Sequence, residues 1–164
     1  MKWMTGVWLA LSAWAAEPVD LSGAWKWHEG AGEASFARPD HDDSNWSTRM
    51  LPRGAVHLGH SWYRWRGVAP AEPGPYSLAL GPFSHCFEVF LNGVSLGGTA
   101  CSASGDPPFP RATAYPIPPE LVAPGSTFVV ALRAEGRRPS WTLAARLPDR
   151  GPYLLGATDR KSHV

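Results

Sequence analysis

In Cys86-Phe87-Glu88-Val89-Phe90-Leu91-Asn92-Gly93-Val94-Ser95-Leu96-Gly97-Gly98-Thr99, two short apolar runs flank an Asn-Gly pair. Both central residues of a type I′ turn need positive φ, which Asn and Gly tolerate at the least steric cost. The stretch therefore predicts a two-strand hairpin with Leu91 opposite Val94 and Val89 opposite Leu96. That register gathers Phe87, Val89, Leu91, Val94 and Leu96 on one apolar face. A second pattern of the same kind lies downstream. In Thr127–Ala134, Phe128, Val130 and Leu132 point one way and Val129 and Ala131 the other, as in a central strand buried on both sides.

Outward from the hairpin, turn residues recur roughly every eight to twelve positions, the spacing of a sandwich or barrel. The alternating runs between them predict strands at Ala24–His28, Thr48–Leu51, Trp62–Val68, Tyr76–Leu80, Cys86–Leu91, Val94–Thr99, Ala114–Ile117, Thr127–Ala134 and Trp141–Leu147. Pro118 to Val122 reads as one short helical turn, and Pro124-Gly125 as a type II turn opening the strand at Thr127. Gly 17 and Pro 17 make up about a fifth of the 164 residues, which disfavours long helices. Hydrophobic content of 44% excludes a disordered chain, and 18% charged residues excludes a coiled coil. A formal net charge of +1 offers no surplus of cations for nucleic acid or an acidic membrane. The expected fold is all-β, an antiparallel β-sandwich of about eight to nine strands.

Residues 1–15 read as a signal peptide: Lys2, an apolar run from Trp3 to Ser12, and the small-x-small pattern Ala13-Trp14-Ala15. The expected location is extracytoplasmic, periplasmic or secreted. No later stretch reaches the ~20 apolar residues of a membrane span. The expected domain runs from 16 to 148, with 149–164 a tail or linker. Cys86 and Cys101 are the only cysteines. Either they pair, closing a loop of about 15 residues worth on the order of 3 kcal/mol, or they remain separate thiols.

The order of motifs then becomes informative: Trp25, Asp42-Asp43-Ser44-Asn45-Trp46, Leu51-Pro52, Trp62-Tyr63-Arg64, Phe90-Leu91-Asn92-Gly93, Ile117-Pro118 and Pro124-Gly125. In this order and spacing the chain resembles the galactose-binding-like jelly-roll domain. It is similar to the N-terminal sugar-binding domain of family 2 glycoside hydrolases and to related bacterial extracytoplasmic sensor modules. The resemblance spans roughly 21–147, with Thr127 where relatives usually carry Asn. It implies that catalytic carboxylates belong to a separate barrel domain. Each motif also has a packing role. Asp42, Asp43 and Ser44 are expected to hold a tight turn, Trp46 to be buried, and Arg64 to pair with Asp42 or Asp43.

Connections between successive antiparallel strands alternate between the two ends of a sandwich. Segments 52–61, 81–85, 100–113 and 135–140 fall at one end, and 69–75, 92–93 and 118–126 at the other. The first end carries the candidate ligand-binding residues His57, His60, His85, Phe109, Arg111 and Arg137, with Arg138 beside them. Imidazole, guanidinium and an aromatic ring are the groups that meet sugar hydroxyls, carboxylates and a sugar's apolar face. His57-Leu58-Gly59-His60 lacks further ligands at zinc spacing, and Asp40, Asp42 and Asp43 lack the Gly and distal Glu of a calcium loop. No cofactor is expected, structural calcium being the one exception considered. Neither a nucleophile elbow nor a phosphate loop is present in the sequence.

The expected function is a non-catalytic exported module recognising carbohydrate or another small polar ligand through one loop end. The alternatives are a ligand-sensing ectodomain cut before its membrane span, and the accessory domain of a truncated glycoside hydrolase or carbohydrate esterase. Further domains of a longer parent protein are the expected partners.

Overall fold

A computed structural model describes residues 19–51, 59–71, 74–80, 86–101 and 113–136, together with the backbone of 153–156. The strands are β1 Val19–Asp20, β2 Gly23–Glu29, β3 Ser47–Leu51, β4 Gly59–Val68 and β5 Tyr76–Leu80, followed by β6 Cys86–Leu91, β7 Val94–Thr99, β8 Thr113–Pro116, β9 Thr127–Gly136 and β10 Tyr153–Gly156. They form two antiparallel sheets with orders β1-β10-β5-β8 and β3-β2-β4-β9-β6-β7. The expected all-β sandwich is therefore the fold.

Between the sheets lies the main core, to which Trp25, Tyr63, Leu78, Val89, Leu91, Phe128, Val130 and Leu132 contribute. The long β9 sits between β4 and β6 and has both faces covered from Phe128 to Leu132. Its inward Phe128, Val130 and Leu132 enter this core, while its outward Ala131 packs with Trp62, Phe90, Trp46 and Ala37 in a second cluster. Burial lifts the Tyr63 phenol above its ordinary pKa.

The second cluster exists because residues 30–46 fold over the outer face of the six-stranded sheet. Arg64, only 1% exposed, fastens this cover. Its Nε donates to Asp43 Oδ2 at 2.8 Å, and its Nη atoms donate to the main-chain oxygens of Phe36, Arg38 (2.9 Å) and His41 (3.4 Å). Trp62 Nε1 donates to Ala31 O at 2.7 Å. Ser44 N donates to Asp42 Oδ1 at 3.0 Å, and Trp46 N to Asp43 O at 3.1 Å, so the acidic pair does hold the expected turn. The bonds from Ser44 keep the Asp42 carboxyl below its ordinary pKa.

The hairpin is as predicted at its turn and different beyond it. Asn92 and Gly93 have φ of 48° and 86°, and Leu91 faces Val94. After Phe90↔Ser95 the register shifts by one residue, so Val89 faces Gly97 rather than Leu96. This bulge breaks the continuous apolar face. Phe87, Val89 and Leu91 are buried, Leu96 is half-buried and Val94 is exposed. A bulge adds a residue to one strand and turns the side chains beyond it.

The short helical turn falls at Pro119–Leu121, and Gly125 (φ 68°) makes the type II turn with Ser126 N bonded to Ala123 O. Asn92 locks this end: its Nδ2 donates to Leu121 O at 2.7 Å and its Oδ1 accepts from Val129 N at 2.8 Å. The segment 149–164 needs correction. Tyr153–Gly156 is a strand that pairs with β1 and β5, so this part of the expected tail belongs to the sandwich. Four residues show too little periodicity to stand out in sequence. The predicted strand Trp141–Leu147 and the signal peptide lie outside the described residues.

Candidate functional site

The described strand ends sort as the alternation of connections requires. Gly59, His60, Cys86, Thr99, Glu135 and Gly136 meet at one end through the pairs Gly59↔Gly136, His60↔Glu135, Cys86↔Glu135 and Phe87↔Thr99. The other end joins Val68 to Thr127 and Leu91 to Val94, with Ala69 N bonded to Ser126 O and Gly125 N to Pro70 O.

At the first end an open groove of about 690 Å³ runs along the outer face of the six-stranded sheet. Its size falls within the ~300–1,000 Å³ common for small-molecule sites. The floor comes from three adjacent strands. β4 supplies His60, β9 supplies Arg133 and Glu135, and β6 supplies Cys86 and Glu88. One wall is Ala31-Gly32, the start of the outer cover, held by the Trp62 bond to Ala31. The opposite wall runs from Gly97 to Cys101.

That second wall is tied to the floor by a covalent bond. Cys86 and Cys101 form a disulfide with their Cα atoms 5.1 Å apart. Of the two possibilities left by the sequence, the structure selects pairing. Gly98 allows the wall to lie close, since a Cβ there would stand 2.7 Å from the Glu88 Cα and closer still to the Phe87 carbonyl oxygen. Within the floor, Arg133 Nη2 pairs with Glu88 Oε2 at 2.5 Å, and Ser95 Oγ donates to Glu88 Oε1 at 2.7 Å.

Among the predicted ligand residues, His60 lines this groove and is exposed. His57, His85, Phe109, Arg111 and Arg137 lie outside the described residues, as does Arg138. Glu88, Arg133 and Glu135 were not singled out from sequence. Extending the alternation of Val129 and Ala131 by two and four residues would have placed Arg133 and Glu135 on the same outward face. Linking them to Glu88 and His60 requires the strand order β4-β9-β6.

The cluster of His28, Phe36, His41 and Trp46 has ring centroids 4.7–5.5 Å apart. It offers no open stacking platform. Trp46 is buried beneath the cover, as the sequence predicts, and the rings pack edge-on or tilted against one another. Asp40, Asp42 and Asp43 serve different partners, namely Arg38 (2.9 Å), the Ser44 amide and Arg64. Among the described residues, no three His, Cys, Asp or Glu side chains are grouped to hold a metal ion.

The sequence matches no known family profile and no curated protein. Solved structures do resemble it. A β-glycosidase from Bacteroides vulgatus superposes at TM-score 0.61 and 18% identity, over 85% of this chain and 20% of that one. The β-glucuronidase of Bacteroides uniformis gives 0.60 and 20%, over 74% and 15%. The β-glucuronidase of Ruminococcus gnavus in complex with D-glucuronic acid gives 0.60 and 16%, over 79% and 23%. The chain thus spans no more than about a quarter of these enzymes. Its fold is that of the N-terminal β-sandwich domain of family 2 glycoside hydrolases.

Proposed function

We propose that the chain is a non-catalytic, exported accessory module that recognises carbohydrate through the groove at one end of its sandwich. The observation that carries this reading is the groove. Polar side chains from three neighbouring strands share one floor, and two pinned walls hold it open. Strands position such groups more rigidly than loops do, so binding would need little backbone change. Sugar hydroxyls would meet the carboxylates, the guanidinium and the His60 imidazole.

The likeness to family 2 glycoside hydrolases supports an accessory role, and the small share of those enzymes that the chain spans is compatible with catalysis residing elsewhere. The purified chain, applied to an array of plant, microbial and host glycans, is expected to capture a defined subset of them. It is expected to leave chromogenic glycosides and acetyl esters intact. No capture across the array would overturn carbohydrate recognition, and hydrolysis by the purified chain would overturn the non-catalytic assignment.

A further inference from the structure

On the groove floor an ion pair leaves most of its cation unused. Arg133 of β9 and Glu88 of β6 stand opposite one another in the strand register. A guanidinium and a carboxylate so placed frequently join through two parallel N–H···O bonds. Here they join through one, from Arg133 Nη2 to Glu88 Oε2 at 2.5 Å. The second carboxylate oxygen, Oε1, accepts instead from Ser95 Oγ of β7 at 2.7 Å. A guanidinium carries five N–H donors, and Nε and Nη1 of Arg133 have no partner among the described residues. The side chain lines the groove and is 51% exposed, so these donors can be reached from it.

We infer that Arg133 is the group that reads the sugar, donating to two adjacent ring hydroxyl oxygens, and that Glu88 and Ser95 are positioning residues that hold it ready. The inference rests on carbohydrate recognition at this groove. Neighbouring hydroxyl oxygens on a pyranose lie close enough together to accept from one planar guanidinium. Ser95 matters because, by engaging Oε1, it keeps the carboxylate from closing on Arg133 with both oxygens. The chain from Ser95 through Glu88 to Arg133 crosses three neighbouring strands, β7, β6 and β9. The anchor is therefore set by the sheet and not by a loop. A sugar lacking one of the two hydroxyls leaves a donor unpaired, which is how a hydrogen-bonding site rejects a deoxy analogue.

The test titrates the purified chain with the methyl β-glycosides of glucose, galactose, mannose and xylose, and with their 2-, 3- and 4-deoxy analogues. At least one parent glycoside is expected to bind, and loss of either of two neighbouring hydroxyls to weaken it by about tenfold, the size of one lost charge-assisted hydrogen bond. Arg133→Gln is expected to weaken binding by about tenfold or more on the same ground. Glu88→Ala is expected to weaken binding in the parent chain and to add nothing once Arg133→Gln is present, since it acts only through Arg133. Ser95→Ala is expected to weaken binding by about threefold, the low end for coupled neighbours, with the melting temperature unchanged or raised. That opposition follows because Oε1 is then free to take a second Arg133 N–H, and a merely structural role would lower both together. Binding unchanged in Arg133→Gln would overturn the inference and leave carbohydrate recognition standing. Additive losses from Glu88→Ala and Arg133→Gln, or an unmoved affinity in Ser95→Ala, would overturn the positioning roles. Failure of every glycoside to bind would overturn the inference, and an empty glycan array beside it would remove the underlying reading as well.

Discussion

Arg64 shows how much of the outer layer depends on one side chain. A guanidinium carries five donors in a fixed planar fork, and here they reach one carboxylate and three main-chain oxygens of the cover. Truncation to Ala would leave Asp43 and those carbonyls without their donor, beneath a cover that also shields Trp46 and Trp62. Removing one partner of a buried pair costs about 3–5 kcal/mol. Arg64→Ala is therefore expected to lose about that much in chemical denaturation, and Arg64→Lys, a point charge without the fork, to recover only part of it. A loss below about 1 kcal/mol, the range of surface ion pairs, would contradict the packing described. Much of this was legible in sequence. Asp-Asp-Ser before Trp46 marks a turn, and a strand Arg beside Trp62 calls for an acidic partner. The choice between the two aspartates was not legible, because it depends on how the turn orients each: Asp42 caps its own turn at the Ser44 amide, while Asp43 faces Arg64.

Among the elements, those coded locally were readable and those coded by distant pairing were not. Asn92-Gly93 identifies its hairpin because few other residues accept positive φ at both positions. The bulge that follows was hidden, because Val94-Ser95-Leu96 continues the alternation of a regular strand. The strand β10 was hidden for a related reason, as its partners β1 and β5 lie far away in sequence. The Cys86–Cys101 bridge belongs to this scale too. It joins β6 to the residues just past β7 and closes a separation of 15 residues. Replacing both cysteines with Ser is expected to lower unfolding free energy by about 3 kcal/mol in the chain-entropy estimate, read by denaturant titration of oxidised parent and variant. Equal midpoints, or two free thiols by mass after alkylation, would contradict the bridge.

Across the whole molecule, the described strand ends sort by the alternation of connections, with tight turns at one end and the groove at the other. Of the residues named by that reasoning, His60 lines the groove. Glu88, Arg133 and Glu135 were overlooked because charged residues near a strand end resemble any solvated sheet face. They come together only when β4, β9 and β6 are seen side by side. The far end, by contrast, is closed by Asn92, Gly125 and the short turn at Pro119–Leu121. Binding should therefore be confined to one end. The most direct measurement is amide chemical-shift mapping as the sugar best captured on the glycan array is titrated into the isotope-labelled chain. The shifts are expected at His60, Glu88, Gly98, Arg133 and Glu135, saturating together with one dissociation constant. Shifts centred instead on Val68, Asn92 to Val94 and Gly125 would place the ligand at the opposite end and contradict the assignment of the groove.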